Sequence, residues 1–201
     1  MTSSNNLNNY LQSSKFIDWD ETSVQELAMN LAGTETNNEI ISRKCFEFVR
    51  DQIKHSMDFQ LNPVTCKASD VLKYRTGFCY AKSHLLAALL RANGIPAGLC
   101  YQRLKNTDGI TYCLHGLNAV YLDRSGWYRI DPRGNNETFF SEFCPPRERL
   151  AFSLTEQGEI DLHEIYTEPL EIIINVLSKH QTTQQVAANL PDIDLVLSRG
   201  N

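Results

Sequence analysis

Three residue types that together perform thiol chemistry occur in order along the chain: Cys79, His115 and Asp131. A thiolate nucleophile needs a base to take and hold its proton, and the base needs a partner that fixes its tautomer. Their expected settings suit those roles. Gly77 permits a sharp entry to a helix, Phe78 to Ala92 carry the helical run, and Gly94 with Pro96 ends it, so Cys79 falls at a helix start. There the positive end of the macrodipole and unpaired amide groups lower a thiol's pKa and offer donors to a developing oxyanion. His115 lies in a strand read from Tyr112 to Leu122, and Asp131 ends a strand that starts at Trp127. The residue types alone are a weak signal, because a cysteine beside Phe78 on an Ala/Leu-rich helix also fits core packing.

The elements around these residues must bring them together. Side chains on a strand alternate faces, so His115 and Asp131 share one only if the loop between their strands has an odd number of residues. A three-residue loop at Asp123–Ser125, with Gly126 beside it, makes them diagonal neighbours; a two-residue Arg124-Ser125 loop separates them. The central helix carries Ala81, Leu85, Ala88, Leu89 and Ala92 on one face, widened by Leu86 and Leu90, which predicts burial nearly all round.

Upstream, a short helix is expected before Gly33, with Thr22/Gln25 and Ser23/Glu26 both fitting a capping box. A second runs from Asn38 to about His55, and a helical turn covers Ser69–Tyr74. Residues 1–15 are Asn- and Ser-rich, with Leu7, Tyr10 and Leu11 able to dock on the body. Downstream, Gly98–Leu104 reads as a strand, Ala151–Leu154 as a short strand, and Leu170 to about Lys179 as a helix, with an uninformative tail beyond Pro191.

Gly77-x-Cys79, Leu86–Ala92-x-Gly94-Ile95-Pro96-Ala97, Leu114-His115-Gly116 leading a strand, and Gly126-Trp127-x-x-Ile130-Asp131-Pro132 together resemble the transglutaminase-like superfamily. The resemblance covers about Ser69 to Asn135, with Ala68–Leu72 also similar to the segment that precedes the nucleophile in this group. It implies an α+β, papain-like core, in which a central helix carrying the nucleophile packs on an antiparallel sheet. It further implies Cys79 as nucleophile, His115 as general base and acid, Asp131 as its orienter, and acyl transfer through a thioester to an amine or to water. One departure stands out. The group's eukaryotic transglutaminases place a tryptophan upstream of the nucleophile to assist the oxyanion, and Pro63–Lys67 contains none. Gln60, Thr65 or backbone amides of Cys79 and Tyr80 are the candidate replacements. The expected activity is hydrolysis of a peptide or protein side-chain amide, since no second domain is visible to present an acceptor amine. Protein-glutamine transglutaminase or deamidase, and a catalytically silent binding module, are the alternatives.

The chain of 201 residues reads as one domain, with a motif-bearing core over about 36–154, a helical extension over 1–35 and a C-terminal helical segment over 165–190. A net charge of −5 gives no electrostatic footprint for nucleic acid or an anionic membrane. No apolar run has the length of a membrane span, and Met1–Asn6 lacks the features of a secretion signal, which predicts a cytoplasmic protein with reduced thiols. The six cysteines form no CxxC pair and no His cluster lies beside them, so neither a metal nor an organic cofactor is expected, and no D-x-[DN]-x-[DN]-G loop supports calcium activation. Of the other polar residues, His84 is expected to make a structural hydrogen bond and Lys82 and Arg91 to reach solvent. Tyr80 and Trp127 are expected to border a substrate groove, Arg133 and Asn135 to brace a loop, and Cys66 and Cys113 to pack near the site.

Overall fold

The computed structural model describes residues 7–193, so the readings for Met1–Asn6 and for the chain beyond 193 lie outside it. A 3-10 turn at Asn8–Leu11 is followed by helices α1 (Thr22–Ala32) and α2 (Asn38–Gln52), strand β1 (Lys54–His55), and short helix α3 (Ser56–Phe59). Next come α4 (Ala68–Tyr74), β2 (Thr76–Gly77) and the central helix α5 (Cys79–Ala92). Strands β3 (Ala97–Lys105), β4 (Tyr112–Leu122), β5 (Gly126–Ile130), β6 (Glu142–Cys144), β7 (Arg147–Arg149) and β8 (Ile160–Asp161) precede helices α6 (Glu171–Lys179) and α7 (Thr183–Ala187).

The main sheet has the order β5-β4-β3-β8 and is antiparallel throughout. Leu122 pairs with Gly126 across Asp123–Ser125, the three-residue loop. That register places Asn118 opposite Ile130, so Asp131 and His115 lie diagonally on one face. Gly126 adopts φ 68°, a left-handed conformation that a side chain would disfavour, which fixes the loop length.

Helix α5 is buried from Cys79 through Arg91, with α1, α2 and α4 packed on one side and β3 and β4 on the other. The all-round apolar pattern therefore corresponds to a helix enclosed on every side, the α+β arrangement expected. A buried amide fixes the helix on the sheet: Asn118 Nδ2 donates to Ser83 O at 2.9 Å and to Gly98 O at 3.3 Å. No helix among the described residues is long and apolar enough to cross a membrane.

Several expectations need correction. Helix α1 is preceded by Glu21 at the N-cap without any side-chain capping bond, so neither capping box forms, whereas Asn37 caps α2 by accepting from Glu39 N and Ile40 N. Helix α2 stops at Gln52 rather than near His55 because Lys54 and His55 leave it to pair in parallel with Thr76 and Gly77. Ala151–Leu154 forms no strand, since the Ala151 amide is directed to the Asp131 carboxylate instead of a ladder. A hairpin of β6 and β7 stands before it, around Pro145-Pro146.

Lys82 and Arg91 are buried, not solvent-exposed. Lys82 Nζ donates to Arg50 O and Ile53 O at the C-terminal end of α2, where carbonyls without intrahelical partners and the negative dipole end attract a cation. Burial pushes its pKa down to about 7. Arg91 donates to Ala97 O, Gln12 O and Thr167 O, joining the segment before α1 and the segment before α6 to α5. Amphipathic patterning cannot anticipate such carbonyl sockets, because they are assembled from distant backbone. Residues 190–192 are also anchored: Pro191 O accepts from Leu114 N at 2.7 Å and Asp192 pairs with Arg103 at 2.6 Å.

Candidate active site

Cys79 is the first residue of α5, and the N-cap is Phe78, which makes no side-chain cap hydrogen bond. A phenylalanine is a poor N-cap. The same lack leaves the first amides of α5 uncapped by any side chain, aimed at the space beside the thiol. The Gly116 amide, from β4, donates to Cys79 Sγ at 3.5 Å. The thiol thus sits between a helix N-terminus and the middle of the sheet, at the floor of a cleft of about 310 Å³ with mostly apolar walls.

His115 and Asp131 meet as the register requires. His115 Nε2 lies 2.8 Å from Asp131 Oδ2, leaving Nδ1 towards the thiol. Asp131 is fully buried and also accepts from Arg133 N at 3.0 Å and Ala151 N at 3.1 Å. Burial would raise its pKa, but the His115 charge and these bonds hold it below the ordinary carboxylate value. The ring of Phe152 packs against His115 with centroids 4.7 Å apart, covering the pair from solvent. Burial alone would raise the Cys79 pKa and lower that of His115. The charge of His115 and its hydrogen bond outweigh burial at Cys79 and bring the thiol to about 6. Asp131 and the thiolate likewise bring His115 to about 10. Between those values the stable form is a thiolate–imidazolium pair.

A second histidine, not singled out in the sequence, lines the same cleft as the thiol. His55 is buried, its ring packs edge-on against Phe78 with centroids 5.9 Å apart, and its Nδ1 faces Asp58 Oδ1 at 3.3 Å. Asp58 is clamped by both guanidinium nitrogens of Arg133 at 2.9 Å each. Although burial opposes ionisation, bonds from His55 and Arg133 hold the Asp58 carboxyl well below its ordinary range. Arg133 thus supports both carboxylates, Asp131 through its backbone and Asp58 through its side chain, and it also lines the cleft. The sequence signal was the i, i+3 spacing of His55 and Asp58; without the β1–β2 pairing nothing connects it to Cys79.

The other named residues divide. Tyr80 lines the cleft as expected, its hydroxyl donating to Leu114 O, and Cys113 lines it too. Gln60 does not reach it: its amide donates to Met57 O and accepts from Gln184. The Thr65 hydroxyl is used in donating to Thr76 O at 2.9 Å. Trp127 packs on Tyr10 and Tyr121 at the far end of the sheet, six strand residues from His115, or about 20 Å along β4. These three are therefore not cleft residues. His84 Nδ1 lies 2.7 Å from Cys66 O, the structural bond expected, and Asn135 braces the loop by accepting from Ser141 N. Among the described residues no group of three or more His, Cys, Asp or Glu is arranged to hold a metal ion.

Close approach at Gly116 sets the spacing between sheet and thiol. A Cβ there would lie 3.1 Å from Tyr80 Cα and 3.2 Å from Tyr80 N, so backbone would have to yield. Gly116→Ala is expected to cost about 1–3 kcal/mol, from the usual range for overpacking, measured as the urea midpoint. It should also slow Cys79 alkylation, because the displaced helix start carries the thiol.

The profile of the transglutaminase-like superfamily matches residues 25–132. Among solved structures, a candidate cysteine protease from Cytophaga hutchinsonii is similar at 20% identity and a TM-score of 0.54, over 66% of this chain and 43% of that one. The transglutaminase of red sea bream is similar at 13% identity and a TM-score of 0.54, over 72% of this chain and 34% of that one. The chain spans less than half the length of either. No curated protein matches it. A family profile covering more than half of the residues, and a helix-on-sheet core shared with both structures, have one conclusion: the chain belongs to the transglutaminase-like superfamily.

Proposed function

We propose that this protein is a thiol-dependent acyl-transfer enzyme that hydrolyses a peptide or side-chain amide through a Cys79 thioester. The observation that supports the reading is that Cys79 and His115 line one open cleft, with His115 Nε2 held 2.8 Å from Oδ2 of the fully buried Asp131. Cys79 attacks the amide carbonyl as thiolate, and the His115 imidazolium donates its proton to the departing amine. Asp131 holds the ring in place throughout. Water then attacks the thioester while neutral His115 takes its proton, releasing the carboxylic acid and restoring the pair. Hydrolysis needs nothing beyond these residues and water, whereas transfer needs a bound acceptor amine to outcompete it.

Partitioning tests this reading. With p-nitrophenyl acetate as acyl donor and putrescine present, the expected result is a Cys79-dependent burst of p-nitrophenolate, with acetate rather than acetylputrescine as the second product. Acetylputrescine as the main product would make the protein a transferase. An undiminished burst in Cys79→Ala would remove the thioester altogether.

A further inference from the structure

We infer that His55 is a catalytic residue, the side-chain donor to the oxyanion that forms when Cys79 attacks a carbonyl. This rests on the thioester reading above. Parallel pairing of β1 with β2 puts His55 directly beside Gly77, two residues before the nucleophile, and its ring packs edge-on against Phe78, the residue next to Cys79. It lines the same cleft. Its Nδ1 faces the Asp58 carboxylate, which favours a proton there, so Nε2 serves as a donor in the imidazolium form, where both ring nitrogens carry protons. Asp58 in turn is fixed by two Arg133 bonds, which sets a carboxylate beside the His55 ring without the close hydrogen bond that Asp131 makes to His115.

Two histidines on one thiol have different work available. His115 carries the proton that the leaving amine needs, and one proton transfer in each direction completes the cycle. A second acid or base is not required. The unmet demand is a donor for negative charge on oxygen, since Gln60 and Thr65 are turned elsewhere and Phe78 offers no polar group. In the resting protein the Nε2–H of the His55 imidazolium is one of the influences that favour the thiolate. On attack, the sulfur lone pair forms the S–C bond and the carbonyl π pair moves to oxygen. The same N–H and the uncapped Cys79 amide then hold that oxygen. When the C–N bond breaks, its electron pair leaves with nitrogen, which takes the His115 proton, and the oxygen lone pair re-forms C=O in the thioester.

Two reactions of Cys79 separate this role from simple placement of the thiol. Acylation by p-nitrophenyl acetate passes through an oxyanion; alkylation by iodoacetamide is a displacement at a saturated carbon and forms none. Both are measured at a pH above the alkylation midpoint of each variant, so that thiolate content does not differ. In His55→Ala, acylation is expected to fall by about 10²–10³-fold, the range for losing one oxyanion donor, with alkylation changed less than about tenfold. His55→Gln, which keeps an N–H, should recover much of the acylation rate. If both reactions fall by the same factor, or if neither falls, His55 is not an oxyanion donor. Failure of the thioester reading looks different: wild-type Cys79 would then alkylate no faster below neutral pH than the other cysteines.

Discussion

Alkylation of Cys79 by iodoacetamide is expected to rise through a midpoint near pH 6 in the wild-type protein and to move to about 9 or above in His115→Ala. The sign follows from which form reacts. Only the thiolate is nucleophilic, its pKa is depressed from the ordinary 9, and so reactivity is gained as pH rises through about 6. Without His115 the largest remaining influence on the thiol is burial, which favours the neutral form. At pH 7 the thiolate fraction then falls roughly 100-fold, offset in part by the greater intrinsic nucleophilicity of a more basic thiolate, for a net loss of about three- to sixfold. The midpoint, not the rate at one pH, is therefore the readout. Peptide mapping keeps the thiols apart: burial pushes Cys45, Cys100 and Cys113 up to about 12, so they should stay slow across the range. Turnover has a second limb. His115 must be protonated to release the amine, so activity should fall as pH passes its value of about 10. An unchanged midpoint in His115→Ala would mean that the helix terminus or His55 activates the thiol instead.

Asp131→Ala is expected to cost about 3–5 kcal/mol of stability, in the range for breaking a buried ion pair, and to abolish Cys79-dependent turnover. Its carboxylate receives His115 Nε2, the Arg133 amide and the Ala151 amide in a site without solvent access. Removing it leaves two backbone donors and one imidazole buried without acceptors. It also frees the segment around Phe152 that covers His115. Asp131→Asn keeps the shape and should fold, yet its amide can present an N–H where His115 needs an acceptor. Turnover should then fall by about 10⁴-fold, as when a triad carboxylate is replaced by its amide. Urea unfolding of the two variants beside their burst amplitudes separates the effects. A stable, active Asp131→Ala would show that the His115 ring is oriented by packing alone.

Local signals carried the core of this protein. Helix α5 was legible because its apolar residues spread well past one face, and Gly77, Gly94 and Pro96 mark its ends chemically. The diagonal placement of His115 and Asp131 was legible as a condition, an odd-numbered loop, which the Leu122–Gly126 pairing meets. Less local features were not. Ala151–Leu154 has strand-like residues, but its amide serves Asp131. Trp127 alternates onto the same face as His115, yet lies at the other end of the sheet, a distance that alternation does not encode.

By itself the sequence determined the order and types of the candidate site residues, the helix that mounts Cys79 and the condition, an odd-numbered loop, under which His115 and Asp131 share a face. Periodicity, turn chemistry and motif spacing are properties of neighbouring residues, and each of these depends on little more. Only the tertiary structure decided what surrounds the thiol. His55 reaches Cys79 because a two-residue parallel pairing folds β1 beside β2, and Asp58 and Arg133, far apart in sequence, then close on it. Lys82 is drawn inward by carbonyls at the end of α2 and Arg91 by carbonyls of Gln12 and Thr167, far apart in sequence. Such contacts are made between backbone and side chains that meet only after packing, and a linear pattern has no term for them.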